Sequence, residues 1–279
     1  MDDGYVVTPA GKGIHLNLAE LWRYRRVMYF LAWRDVKVKY KQTFVGVGWS
    51  LLNPLLTILL FSVVFGLIVK VPSGDIPYPV FVYAGFLPWN ALARVVAMSG
   101  TSLVTSASLL TKVYFPRMAI PLASMVMPTL DTLISFPLLI LMMLFFGITP
   151  GWQVISLPLF LILGLAAAVG ASLWISSLYV RFRDVGQLIP FLLQLWMYAS
   201  PVVYSTSLVP ADWRWLYALN PMVPVLEGFR WGLFGTPLPL TGPQMLEGVI
   251  TAALLLFTGL VYFRRAEDAF ADVVLWDKR

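Results

Sequence analysis

Few residues in this 279-residue chain have both the type and the placement for chemistry. The single histidine, His15, precedes the first long apolar run, and cysteine is absent. A serine–histidine relay inside a membrane, a thiolate nucleophile and a thiolate metal site are therefore excluded. No group of His, Asp and Glu has metal-ligand spacing, so neither a metal nor a catalytic residue is assigned. Gly11-Lys12-Gly13 is not a phosphate loop, because no glycine stands five residues before Gly11 and neither Ser nor Thr follows the lysine. Any ATP chemistry must come from another chain. Two ionisable residues remain within long apolar stretches, Arg94 and Asp131. Charges at membrane depth are costly and mark a site by default. Three roles fit them: a structural pair across adjacent helices, the lining of a polar route, or a proton relay through Asp131.

The elements that must hold these residues are membrane helices. The chain is 59% hydrophobic, 15% aromatic and only 12% charged, against about 25% charged in soluble proteins. An ordinary soluble domain and a disordered chain are both excluded. A helix needs roughly 20 mostly apolar residues to cross a hydrocarbon core of about 30 Å. On that measure six spans are expected, near 49–69, 80–100, 119–146, 153–178, 188–208 and 245–263. The expected fold is all-α and integral to the membrane, one domain over 1–279 with a six-span region at 49–263 and a tail at 264–279. Segment 215–235 is apolar too, but Pro221, Pro224, Glu227 and Arg230 interrupt it, and a helix pair dipping in from one side suits it better.

Orientation follows from lysine and arginine in the loops. With six spans, sixteen of the twenty basic residues fall on the side of both termini, and only Lys70, Arg214 and Arg230 on the other. Both termini are expected in the cytoplasm, with a basic rim against anionic lipid. Nucleic acid is not an expected partner, since no basic domain stands apart from the membrane. Asp2 and Asp3 open the chain without a basic-then-apolar pattern, so no cleaved signal peptide is expected.

Three segments that do not span carry further patterns. Residues 16–34 place Leu18, Leu21, Trp22, Met28 and Leu31 near helical spacing among Arg23, Arg25, Arg26 and Arg34. Either an amphipathic helix in the interface or a plain positive anchor accounts for this. Residues 108–122 mix short apolar residues with Lys112 and Arg117, while Pro116 and Pro121 limit any helix to about two turns. Such a segment could dock into a groove on a soluble partner or serve as an ordinary basic turn. Residues 196–234 gather Trp196, Tyr198, Tyr204, Trp215, Tyr217, Phe229 and Trp231, with further rings between them. Those rings suit interface anchors or flat faces for stacking sugars.

Ordered strings along the chain then carry a resemblance. LAWRDVKVKYKQTFVGVGWSLLNPLL (31–56), GFLPWN (85–90), LLTKVYFPRMAIPL (109–122), YVRFRDV (179–185), YASPVVY (198–204), LNPMVPVLEGFR (219–230) and FADVV (270–274) are similar to the membrane subunits of type-2 ABC exporters. They resemble in particular the branch that exports O-antigen, capsule and teichoic acid polymers. The resemblance implies a six-span permease of the bacterial cytoplasmic membrane, working as a homodimer with two separate nucleotide-binding subunits. ATP and Mg would sit on those partners, and this chain would need no cofactor of its own. Residues 16–34 would form an interfacial helix displaying Trp22, Arg23, Arg25 and Arg26. Residues 109–118 would be the cytoplasmic coupling helix, with Lys112, Tyr114, Phe115, Pro116 and Arg117 toward the ATPase and Arg181, Arg183 and Asp184 nearby. Residues 201–235 would form exterior gate helices, and some of the aromatic rings listed above would face a polyprenyl-linked glycan or teichoic acid. An acidic residue near Asp131 is familiar in that family, favouring packing or a channel role over catalysis, while Arg94 matches no motif. A proton-coupled secondary transporter and a membrane glycosyltransferase are the rival readings. The first usually shows paired repeats and several intramembrane acids; the second would need exterior carboxylates, where Asp75, Asp212, Glu227 and Glu247 are scattered.

Overall fold

A computed structural model describes residues 18–41, 48–110 and 115–267 of the chain. The described residues form helices and connecting turns without a β-strand. The first two helices, α1 (Leu18–Arg23) and α2 (Arg25–Lys41), are separated only by a break at Tyr24. The interfacial segment thus runs seven residues beyond the expected Arg34, because neither proline nor glycine occurs between Arg34 and Lys41 to stop it. Its Leu21, Leu31 and Ala32 are buried against Phe115, Met118 and Ile120, while Trp22, Tyr29 and Phe30 are exposed.

Next comes α3 (Gly48–Phe61), which continues as a π-helical stretch through Ile68, and then α4 (Tyr78–Thr105). Helix α4 is the hub, touching α3, α7 and α8 along with three shorter elements described below. The short α5 (Ala107–Leu110) follows it, and α6 (Ala119–Ser124) leads across Met125 into α7 (Val126–Phe145). A 3-10 turn at Trp152–Ser156 opens into α8 (Leu157–Arg181). Helix α9 (Val185–Tyr198) is followed by α10 (Arg214–Ala218), α11 (Met222–Phe234) and the last long helix, α12 (Gly242–Glu267). Helix α11 stops at Gly235, whose φ of 65° is a left-handed cap that glycine takes without strain. Helices α8 and α12 meet closely at Gly170, where an added Cβ would lie 2.5 Å from the Leu255 backbone. Such small-residue approaches replace hydrophobic driving force inside a membrane.

Among the described residues, five helical stretches are long and apolar enough to cross a membrane: Gly48–Ile68, Tyr78–Thr105, Ala119–Phe145, Trp152–Arg181 and Gly242–Glu267. The expected span at 188–208 is different. Its helix is α9, whose 14 residues reach only about 21 Å at 1.5 Å per residue. The chain leaves the helix at Ala199, just before Pro201, and turns through short 3-10 pieces at Thr206–Leu208 and Ala211–Trp213. Two apolar cores result. A large one joins the first half of α4 to α8 and α11, and a smaller one gathers α2, Phe115, α6 and the far ends of α4, α8 and α12.

Candidate functional site

Three clusters hold the residues singled out from the sequence, and the most buried of them is built on Asp131. Helix α7 carries this residue with its side chain only 5% exposed. Arg94 of α4 donates from Nη1 to Oδ2 at 3.1 Å, and Lys39 of α2 is ion-paired to the same oxygen. Tyr40 of α2 and Ser50 of α3 donate to Oδ1 at 2.8 and 3.0 Å. The Ser135 hydroxyl sits 2.8 Å from the Asp131 carbonyl and 2.9 Å from that of Ser50. One carboxylate therefore ties four helices together and faces two cations. Burial, and then the hydrogen bond to Asp131, raise the Tyr40 pKa above its ordinary value, so its phenol stays a donor. Arg94 and Asp131 stood out in the sequence because apolar residues surround them. Lys39, Tyr40 and Ser50 did not, since they lie 92, 91 and 81 residues from Asp131. Only their place at the end of α2 and the start of α3 hinted at them.

The second cluster lies at the end of the molecule marked by the smaller core. Phe115 is buried in that core beside Met118 and Ala119. The Pro116 carbonyl accepts from Ala119 N at 2.9 Å and starts the turn into α6. Arg117 donates from its backbone N to Glu267 Oε1 at 3.1 Å and from its guanidinium to the Glu267 carbonyl. Arg264 holds the other Glu267 oxygen at 2.8 Å. The segment before α6 is thereby fastened to the end of α12. Lys112 and Tyr114 lie outside the described residues. Arg181, Arg183 and Asp184 are exposed at the α8–α9 turn, where the Arg181 guanidinium packs 5.3 Å from the Phe182 ring centre. On the interfacial segment Trp22, Arg23, Arg25 and Arg26 are exposed, and Arg25 stacks 5.2 Å over Trp22.

At the opposite end the aromatic residues separate by environment. Tyr198 and Trp215 are exposed, whereas Phe229 is a core residue packed edge-to-face on Phe136. Trp196 donates to Asn220 at 2.9 Å, and Asn220 in turn donates to the Ala199 carbonyl at 2.9 Å. Tyr204 and Tyr217 hydroxyls meet at 2.9 Å, and Trp231 packs edge-to-face on Trp152. Beneath them lies a pair that sequence reasoning assigned only to the exterior. Glu227 and Arg230 are 4% and 2% exposed. Arg230 donates to the carbonyls of Val202 at 2.7 Å and Tyr204 at 3.1 Å, with its guanidinium 3.8 Å over the Phe81 ring. Glu227 accepts from Thr206 N at 2.7 Å. The LEGFR string thus pins the turn after α9 to α4 and α11.

Among the described residues, no three of His, Cys, Asp and Glu converge to hold a metal. The clusters brace helices; they do not assemble a nucleophile with its base. Known proteins place the chain accordingly. It is 28% identical to an O-antigen export system permease protein, RfbA, of Myxococcus xanthus, over 91% of this chain and 98% of that one. A second O-antigen export system permease protein, from Klebsiella pneumoniae, is 29% identical over 86% of this chain and 92% of its own length. The polysialic acid transport protein KpsM of Escherichia coli is 24% identical over 85% and 92%. The family described as ABC-2 type transporter matches residues 26–234. With most of its length inside that match and five helices fit to cross a bilayer, this chain belongs to the ABC-2 type transporter family and is a multi-pass transport subunit rather than an enzyme.

Proposed function

We propose that the chain is the transmembrane subunit of an ATP-driven exporter of a lipid-linked surface polysaccharide or teichoic acid. The observation that carries this reading is its end-to-end likeness to permeases named for O-antigen export, covering 98% of the Myxococcus relative. In this reading ATP and Mg sit on two copies of a separate nucleotide-binding subunit, which the lack of a phosphate loop in this sequence supports. Those subunits dock on the basic end, around residues 109–118 and Arg181, Arg183 and Asp184. Both termini then face the cytoplasm of a bacterial cell. Helix α9 with the turn to Tyr204 supplies a sixth crossing, and α10–α11 dip in from outside as the exit gate. Two copies of the chain enclose the path. In support, α9 buries only Ile189 within one copy, and α3 also leaves most of its surface open. The polyprenyl tail stays in lipid while sugars pass along the aromatic exit.

The test replaces Phe115 or Arg117 with alanine in the chain expressed with its ATPase. Both variants should insert normally yet lose export of the polymer to the cell surface. Unchanged export in both would sink the coupling role.

A further inference from the structure

Two largely apolar stripes on consecutive membrane-crossing helices face each other without meeting. Along the Ala119–Phe145 stretch, Leu122, Val126, Thr129, Leu133 and Phe136 recur at spacings of three and four residues, which puts them on one helix face. On the next stretch Val154, Pro158, Leu161 and Leu165 do the same. Such stripes normally interlock, yet α7 and α8 hardly touch. Two cavities occupy the seam instead. One, of about 330 Å³, lies between Leu133 and Phe136 on α7 and Pro158 and Leu161 on α8, with Leu87 of α4 and Phe229 of α11 as its floor. The other, of about 210 Å³, begins one helical turn further on, where Val126 and Thr129 face Leu165.

The seam offers water nothing to hold. Its two hydroxyls are already spent, because Thr132 donates to the Pro128 carbonyl at 3.0 Å and Thr129 to that of Met125 at 2.9 Å. A buried water needs two to four polar partners, and an apolar cavity of about 150 Å³ already stays dry and admits a molecule the size of benzene. Val126, Leu133 and Pro158 line the cavities and are also exposed on the outer surface. The seam is therefore continuous with the face that these membrane-crossing helices turn to the bilayer. Its length fits too. Val126 to Phe136 rise about 15 Å along α7, half of a hydrocarbon core of about 30 Å and so the reach of one acyl chain. We infer that the seam between α7 and α8 holds one acyl chain of a membrane phospholipid, which supplies the packing that the two helices do not give each other. Moving such a chain out of the bilayer changes little in hydrophobic free energy, since lipid tails are as apolar as leucine. What holds it is close contact with four helices at once, which lipid on the open face of α12 lacks. The inference rests on the chain crossing a membrane and not on the polymer it exports.

The experiment reconstitutes the full-length chain into phosphatidylcholine vesicles with a trace of phosphatidylcholine that carries a diazirine midway along one acyl chain. After illumination, labelled peptides are quantified by mass spectrometry. Residues 126–136 and 158–165 should be labelled at least about fivefold more heavily than the exposed Val249, Ile250, Leu254 and Phe257 of α12, the scale of about ten added carbon contacts. Leu161→Phe fills the larger cavity and Thr129→Leu the smaller. Each should lower labelling of the seam, and the two together should bring it to the α12 level, at an unchanged or raised melting temperature. Ile162→Phe, on the exposed side of α8, should leave the label in place. Displacement of the label by a trace of a short polyprenyl phosphate would make the seam a cargo site and overturn the assignment to a membrane lipid. A disulfide-linked dimer from Leu133→Cys on mild oxidation would place a second copy over the seam, with the same consequence. Seam and α12 labelled alike in the parent would also overturn it, as would seam labelling unchanged in both filling variants.

Discussion

Removing the buried Asp131 carboxylate would take away the acceptor that the partly buried Arg94 and Lys39 share. Breaking a buried ion pair from one side typically costs about 3–5 kcal/mol, because the surviving charge has lost its partner. Asp131→Ala should therefore lower the melting temperature of the detergent-purified chain sharply. Asp131→Asn should fall between it and the parent, since the amide oxygen still accepts from Tyr40 or Ser50. Tyr40→Phe removes one neutral donor and should cost only about 1 kcal/mol, seen as a small shift in the same melt. The proton-relay rival makes an opposite demand, that Asp131→Asn abolish export in a chain of parental stability. At the exterior end, Gly85 carries no side chain because Arg230 needs the room. A Cβ there would lie 2.6 Å from Arg230 Nη2 and 2.7 Å from the Val202 carbonyl. Gly85→Ala should cost about 1–3 kcal/mol as an overpacked site. Arg230→Lys should not restore the parent, because an ammonium cannot make the fork to two carbonyls while lying flat on Phe81.

At the scale of elements, Glu267 joins the segment before α6 to the last helix, accepting from Arg117 and Arg264 with its two carboxylate oxygens. Glu267→Ala should leave the ATPase of the assembled transporter active while lowering polymer export, read by measuring ATP turnover and surface polymer on the same preparation. Equal loss of both would point to misassembly, and full export would remove α12 from the coupling route. The long helices were legible because their signal is local: an unbroken apolar run such as 49–69 states its own length. Helix α9 was overdrawn because largely apolar residues continue through Pro201 to Tyr204, and hydropathy does not register that the backbone has turned at Ala199. The Asp131 cluster was half legible. Two charges among apolar residues announce themselves, but Lys39 and Tyr40 on α2 are ordinary members of a basic, aromatic segment until the fold brings them across. Glu227 and Arg230 misled for the mirror reason, since a charged pair between prolines suggests surface, and only the carbonyls of Val202 and Tyr204 reveal it as a buried clasp.

Across the whole molecule, α4 and α8 run through both cores, so a displacement at the basic end reaches the exterior turn along packed helices without needing a flexible relay. If two copies enclose the path, α9 is the wall most open to a partner. The chain has no cysteine, so a single Leu192→Cys on that helix should give a disulfide-linked dimer on mild oxidation in membranes. The same change at Leu254 on α12, equally exposed, should not. The Asp131 cluster also sets a timetable for biogenesis. Lys39 precedes its counter-ion by 92 residues, roughly 5 to 20 seconds of synthesis at about 5–20 residues per second. Arg94 precedes it by 37 residues, so for roughly 2 to 7 seconds at that rate it must enter or wait beside the bilayer without its carboxylate. Nascent chains ending before Asp131 should therefore hold α4 shallowly, and chains extended past α7 should seat it fully, which depth-dependent labelling of arrested intermediates can follow. A residue whose role in the finished protein is to brace four helices thereby becomes, during synthesis, the signal that the first half of the protein can close.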